Sequence, residues 1–191
     1  MTVALYSTIW ISLALFVATQ HGYRSSRFPD PRSMFPRPPA RHLPQGSAIG
    51  PAPRPPGWVH AANATGLALC VIHIALAMGS VHGWRHAAAI EATAIQTESV
   101  YGLRWGGGVF VNYLFVIVWA LEAWGRTRTR AFSESRFARW LLRTFYAVVV
   151  FNAAVVFARG SMRMTGFVLV VALVLAWRPR SRSKQRDAPA L

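Results

Sequence analysis

The sequence predicts an all-α fold, a polytopic bundle of about five transmembrane helices with the N-terminus outside and the C-terminus in the cytoplasm. Three observations support this prediction. Of 191 residues, 53% are hydrophobic and only 14% are charged, which is unusual for a soluble domain. The apolar residues fall into uninterrupted blocks, several of which approach the roughly 20 residues needed to cross a bilayer. The distribution of arginine between the blocks gives the orientation.

Five apolar blocks define the predicted spans. They cover residues 2–20, 58–82, 108–124, 140–158 and 162–177. The first block lacks a positively charged region before it, so we expect a retained helix rather than a signal peptide. The last block is short, and it crosses only if the bilayer thins or if the arginines at its ends extend outward. Tryptophans mark the block edges, where an indole favours the headgroup region; they are Trp58, Trp84, Trp105, Trp124, Trp140 and Trp177.

Positive charge alternates between the connecting segments. Residues 21–57 carry six Arg and one Asp, 125–139 carry five Arg and one Glu, and the tail from 178 carries four Arg, one Lys and one Asp. Residues 83–107 carry two Arg and two Glu. Because basic segments stay cytoplasmic, this alternation predicts five spans. It also explains most of the net charge of +15 as topology and contact with anionic lipid headgroups, so nucleic-acid binding is not expected.

The predicted organisation has four parts. Residues 1–20 form the first transmembrane helix, and 21–57 form a Pro/Arg-rich cytoplasmic loop. That loop holds ten of the twelve prolines, which predicts extended or disordered chain; it is either a solvated linker or a docking strap for a partner. Residues 58–177 form a four-helix transmembrane bundle with an interfacial helix near 85–101 on the outer surface, and 178–191 form a basic cytoplasmic tail.

The second block and its continuation contain a candidate metal site. Met78, His82 and His86 are spaced by four residues, and they form one stripe if the helix continues through Gly83. A thioether and two imidazoles suit a soft ion such as Cu(I). Two methionines of the other outer turn are further possible ligands: Met162 and Met164. The alternative is that these histidines only form hydrogen bonds at the membrane interface.

His73 lies near the middle of the second span and is a candidate axial ligand for haem b. The other predicted spans contain no histidine, so a second axial histidine requires a dimer or a partner subunit. The alternative is a buried polar residue that hydrogen-bonds to Asn112 or Asn152 on neighbouring helices.

Three small residues of the same helix, Ala75, Gly79 and Gly83, recur at intervals of four. Such a ridge lets another helix approach closely. It serves either packing within the bundle or contact with a homo-oligomer or a partner.

Glu122 and Arg143 lie a few positions inside the cytoplasmic ends of the third and fourth spans. These spans form an antiparallel hairpin, so both residues reach the same depth, and we predict a structural ion pair rather than a proton or substrate site. Glu91 and Glu98 of the interfacial helix are seven residues apart, which places them about 10 Å apart. We interpret them as a solvated face rather than a catalytic pair.

Catalytic signatures are missing from the sequence. It has no HExxH, Walker or CxxC pattern, no Rossmann fingerprint and no nucleophile elbow. We therefore expect an integral protein of the bacterial inner membrane that acts as an accessory or assembly subunit of a membrane complex rather than as a catalyst, and the sequence leaves open whether it binds a cofactor. Two alternatives are a copper- or haem-binding redox or metal-handling protein that uses the second helix, and a small transporter.

Overall fold

The chain is all-helical over the residues that the structure describes. The computed structural model describes residues 2–25, 55–128, 136–158 and 160–178. These residues form six α-helices, which are α1 (Thr2–Ser25), α2 (Gly57–Ser80), α3 (His86–Tyr101), α4 (Gly108–Arg128), α5 (Arg136–Phe151) and α6 (Met162–Trp177). A π-helical segment, Asn152–Val156, continues α5.

Four of these helical segments are long and apolar enough to cross a membrane. They are Val3–Tyr23, Gly57–Ser80, Gly108–Arg126 and Arg136–Val156. Each approaches or exceeds the roughly 20 residues that a bilayer requires. The shorter α6 is also apolar. The prediction of an all-α fold is confirmed over the described residues, and four helices have the length and composition of membrane spans. The number of spans and the orientation stay predictions.

Helix α2 ends earlier than the sequence predicts. Its last residue is Ser80, and a turn follows in which Gly83 and Trp84 have φ angles of 56° and 61°. A positive φ cannot continue a right-handed helix. The condition for one continuous stripe of Met78, His82 and His86, a helix that runs through Gly83, is therefore not met.

The predicted loop and tail lie largely outside the described residues. Helix α1 continues to Ser25, five residues beyond the predicted end of the first span, and the description resumes at Pro55. Helix α2 starts directly after Pro56, in keeping with the preference of proline for the edge of a helix rather than its interior. Past Arg178 the predicted basic tail is not described.

Aromatic side chains from three helices form the centre of the core. The ring of Phe16 on α1 lies 4.9 Å from the rings of both Trp119 on α4 and Tyr146 on α5, measured between centroids, and each pair meets edge to face. Phe115 packs beside them, with its centroid 5.7 Å from that of Phe16. Such edge-to-face pairs contribute beyond their buried area. We call Phe16, Phe115, Trp119 and Tyr146 the aromatic cluster.

Small and polar residues bring α1, α2 and α4 close together. The Ser12 hydroxyl on α1 donates a hydrogen bond of 2.7 Å to the carbonyl oxygen of Gly66 on α2. A Cβ atom added to Gly66 would lie 3.0 Å from Trp119 and 3.1 Å from Leu15. The indole N–H of Trp119 donates a bond of 2.8 Å to the side chain of Asn63. Close approach at small residues with polar bonds between helices is typical of packing in membranes.

Candidate functional site

An open chamber of about 1050 Å³ lies between α1, α2, α4, the end of α5 and α6, in the half of the bundle where α3 lies. Gln96 of α3 contributes to its wall. At its inner end the chamber meets core residues, among them Leu13, Phe115 and Val149. Phe115 belongs to the aromatic cluster, whose other members fill the bundle beyond the inner end. The volume of the chamber slightly exceeds the roughly 300–1,000 Å³ that is usual for small-molecule sites.

Neutral side chains line this chamber. Most of the wall is aliphatic or aromatic, and seven side chains have nitrogen or oxygen groups that can hydrogen-bond to a ligand: Tyr6, Ser7, Trp10, His73, Gln96, Asn112 and Thr165. Within the described part of the chain, no Arg, Lys, Asp or Glu lines it. An apolar cavity with a few polar groups is the usual form of a small-molecule site.

His73 bonds to α1, which differs from the prediction. Its Nδ1 atom lies 2.9 Å from the carbonyl oxygen of Leu5. Neither predicted partner bonds to His73 among the described hydrogen bonds: Asn112 contributes to the chamber wall, and the Asn152 amide donates a hydrogen bond of 2.8 Å to the Val148 carbonyl oxygen. The reason is that α1 packs directly along α2, so the nearest acceptor belongs to its backbone. Among the described residues of the chamber wall, His73 is the one histidine, and a haem ligand role for it stays a prediction.

The proposed copper stripe is not continuous, because α2 ends before His82. Met78 is buried in α2 and accepts a hydrogen bond of 3.7 Å from the Tyr113 hydroxyl. His82 lies in the turn, and His86 begins α3 with its ring 5.8 Å from that of Tyr113. The three side chains therefore do not lie on one helical stripe, and a copper site at these residues stays a prediction. Among the described residues, no group of three His, Cys, Asp or Glu side chains is placed to hold a metal ion.

The predicted small-residue ridge is also interrupted. Gly79 faces the indole of Trp84, whose nearest carbon would lie 3.0 Å from an added Cβ atom. Gly83 belongs to the turn and not to the helix. Ala75 remains exposed on α2. The ridge therefore ends where Trp84 folds back onto the helix.

A longer set of small residues, which includes Ala75, occupies the exposed side of α2. We call it the small-residue face, and it consists of Ala61, Ala64, Thr65, Ala68 and Ala75. At about 100° per residue these positions occupy roughly a third of the helix circumference. The larger Val71 and Ile72 complete this side. Gly79 has the same helical phase, so Trp84 covers the end of this face.

Glu122 has a different ion-pair partner from the predicted one. Its carboxylate accepts a hydrogen bond of 3.2 Å from Nε of Arg126, one turn later in α4, and one of 2.8 Å from the Tyr146 hydroxyl. The Arg126 guanidinium also lies 4.2 Å from the ring centroid of Tyr23 on α1. The predicted pair with Arg143 is not among the salt bridges of the described residues. The spacing of four residues between Glu122 and Arg126 was a signal for this pair.

The two glutamates of α3 share one arginine. Arg104 donates a hydrogen bond of 2.9 Å to Glu98 and also pairs with Glu91. The hydrogen bond that Arg104 donates to Glu98 and the charges of both carboxylates raise the pKa of Arg104. Because about half of each side chain is exposed, these are surface ion pairs of small energetic weight.

Comparison of the chain with protein-family models, with curated proteins and with solved structures finds no match.

Proposed function

We propose that this chain is a non-catalytic accessory or assembly subunit of a membrane complex, and that it binds a partner helix through the small-residue face of α2. The observation that carries the proposal is the composition of that face. Small residues at a helix surface permit close approach of another backbone, and helix association in lipid depends on such packing. A helix that only meets lipid gains nothing from small residues at these positions.

The exposed surfaces of α4 and α6 have a different composition. Helix α4 exposes Phe110, Leu114, Ile117, Leu121 and Trp124. Helix α6 likewise exposes Phe167, Val168, Val171, Val174 and Leu175. These large side chains are typical of a surface that meets lipid. Compared with α4 and α6, helix α2 exposes smaller side chains over most of its length, which favours it as the contact with a partner or with a second copy of the chain.

The proposed setting is the inner membrane of a bacterium, crossed five times. Helices α1, α2, α4, α5 and α6 are the proposed spans, and α3 is proposed to lie on the outer surface. The N-terminus is outside and the C-terminus is cytoplasmic in this arrangement, since the basic segments then stay inside. The surplus arginines contact anionic lipid headgroups.

Isolation with native lipids tests the proposal. The full chain is extracted from its own membranes into polymer-bounded nanodiscs, and the mass of the assembly is measured. We expect a complex larger than the monomer, and Ala68→Leu, which adds bulk to the small-residue face, should dissociate it. Ala14→Leu is the matched control, because Ala14 is exposed on α1 and lies outside that face. A strictly monomeric wild-type protein without a partner would contradict the proposal.

A small transporter is a second candidate function, and the chamber is the observation that favours it. His73 and Asn112, which lie on different helices, both contribute to its wall. The aromatic cluster beyond the inner end would have to rearrange for a substrate to cross. Uptake by sealed vesicles that contain the purified chain, compared with empty vesicles, tests this candidate.

A further inference from the structure

The chamber carries an inference that is independent of the small-residue face. His73 lies on the side of α2 that faces α1 and the chamber, about 140° around the helix from the centre of that face. A ligand in the chamber and a partner on α2 therefore use different surfaces. The chemistry of the chamber wall selects the class of ligand.

The hydrogen bond of His73 fixes its tautomer. A carbonyl oxygen only accepts hydrogen bonds, so the Nδ1 atom that lies 2.9 Å from Leu5 must carry the hydrogen. The nearby Thr8 hydroxyl donates to the carbonyl oxygens of Ala4 and Leu5, at 2.9 and 3.0 Å, and is not available as a donor to Nδ1. In the neutral ring the other nitrogen, Nε2, is then an acceptor. It has no hydrogen-bond partner within the described part of the chain.

The rest of the wall selects an uncharged molecule with a substantial apolar part. A charged ligand would lose its hydration without gaining an ion pair, since the described wall residues carry no formal charge. The amides of Gln96 and Asn112 can both donate and accept. Large apolar side chains such as Phe115 and Phe157 also line the chamber and suit a hydrocarbon chain.

We propose that the chamber binds an uncharged amphiphile that carries a hydroxyl group, and that His73 Nε2 accepts the hydroxyl hydrogen. The hydrocarbon part of the ligand lies against the apolar wall. The ligand class is a long-chain alcohol or a neutral lipid with a free hydroxyl. Because Nε2 is an acceptor, the chamber discriminates against an analogue whose hydroxyl hydrogen has been replaced.

Binding of tritiated 1-hexadecanol to the full chain in detergent micelles tests the proposal. We expect saturable binding. Unlabelled 1-hexadecanol should displace the label at a concentration at least about tenfold lower than hexadecyl methyl ether, which lacks the donor hydrogen. Hexadecanoate, which has the same chain length but a charge, should also compete poorly. Equal competition by the alcohol and the ether would overturn the assignment.

Two variants locate the site. His73→Phe should weaken 1-hexadecanol by about tenfold and leave competition by the methyl ether unchanged. Ala153→Phe should abolish binding of the alcohol, because Ala153 lines the chamber and a phenyl group there would occupy part of its volume. Val148→Phe is its matched control, since Val148 is exposed on α5 and does not belong to the chamber wall. If His73→Phe does not fold, the comparison of Ala153→Phe with Val148→Phe tests the site. Equal binding of the alcohol by these two variants would refute it.

Discussion

The Tyr146 hydroxyl on α5 donates a hydrogen bond of 2.8 Å to the carboxylate of Glu122 on α4, in the part of the bundle where Arg126 pairs with the same carboxylate. Tyr146→Phe removes the donor and leaves a buried charged acceptor with one partner fewer. Losing a bond to a charged group costs about 1–3 kcal/mol. We expect a lower free energy of unfolding by that amount, measured by denaturation in mixed micelles.

The control for this contact is Tyr6→Phe. Tyr6 is 54% exposed, so removal of its hydroxyl should change the free energy of unfolding by less than about 0.5 kcal/mol. Equal effects of the two substitutions would show that the bond between Tyr146 and Glu122 contributes nothing specific. Glu122→Gln retains an acceptor oxygen and should be milder than Glu122→Leu. If Glu122→Gln left stability unchanged and abolished an activity, a structural role for Glu122 would be wrong.

Gly166 marks the contact between α6 and the π-helical segment. A Cβ atom added there would overlap the carbonyl oxygen of Ala154, and backbone cannot move aside as a flexible side chain can. Gly166→Ala should therefore lower the free energy of unfolding by about 1–3 kcal/mol through overpacking. Gly57→Ala is the control, because nothing lies within 4 Å of an added Cβ there. A variant at Gly166 as stable as the wild type would contradict the close approach.

The bond between Trp119 and Asn63 permits a double-mutant cycle. Asn63→Ala and Trp119→Phe each remove one partner of the buried 2.8 Å hydrogen bond. We expect a coupling free energy of about 0.5–2 kcal/mol between the two substitutions, the range for polar bonds between helices in membranes. Strict additivity of the two unfolding free energies would mean that the contact does not stabilise α2 against α4.

The proposed orientation predicts which cysteines a membrane-impermeant maleimide labels in intact cells. The native Cys70 is first replaced by serine, and single cysteines are then introduced in place of Ser99 on α3 and Arg178 after α6, both of which are exposed. We expect labelling at position 99 in intact cells and at position 178 only after permeabilisation. The reverse pattern would invert the topology.

The helical organisation was accessible from hydropathy and turn residues. The sequence predicts helices near 85–101 and 162–177, and the structure has α3 at His86–Tyr101 and α6 at Met162–Trp177. Glycine contributes here, since Gly102 ends α3 with a φ of 70°, the left-handed conformation that glycine adopts at helix ends. These features depend on residues that are close in sequence, so the sequence suffices to find them.

The predictions that differ from the structure concern contacts between helices and one place where the chain leaves the helical conformation. The metal stripe assumed that α2 continues past Ser80, whereas Trp84 adopts a positive φ that its residue type does not predict. The partner of His73 depends on α1 packing along α2, which hydropathy does not determine. The π-helical segment at Asn152–Val156 has no signal in the hydrophobic pattern. The spacing of four residues indicates Arg126 as a partner of Glu122, but the predicted end of the third span places Arg126 in the following loop.

The position of the Trp84 indole over Gly79 has a geometric consequence for any second helix laid against α2. The crossing point has to fall near Ala64 and Ala68, where the two axes can come nearest. Toward α3 the Trp84 indole holds the second helix away from α2, so the axes of the two helices diverge there. The wedge between the diverging arms is then filled by acyl chains of a single leaflet.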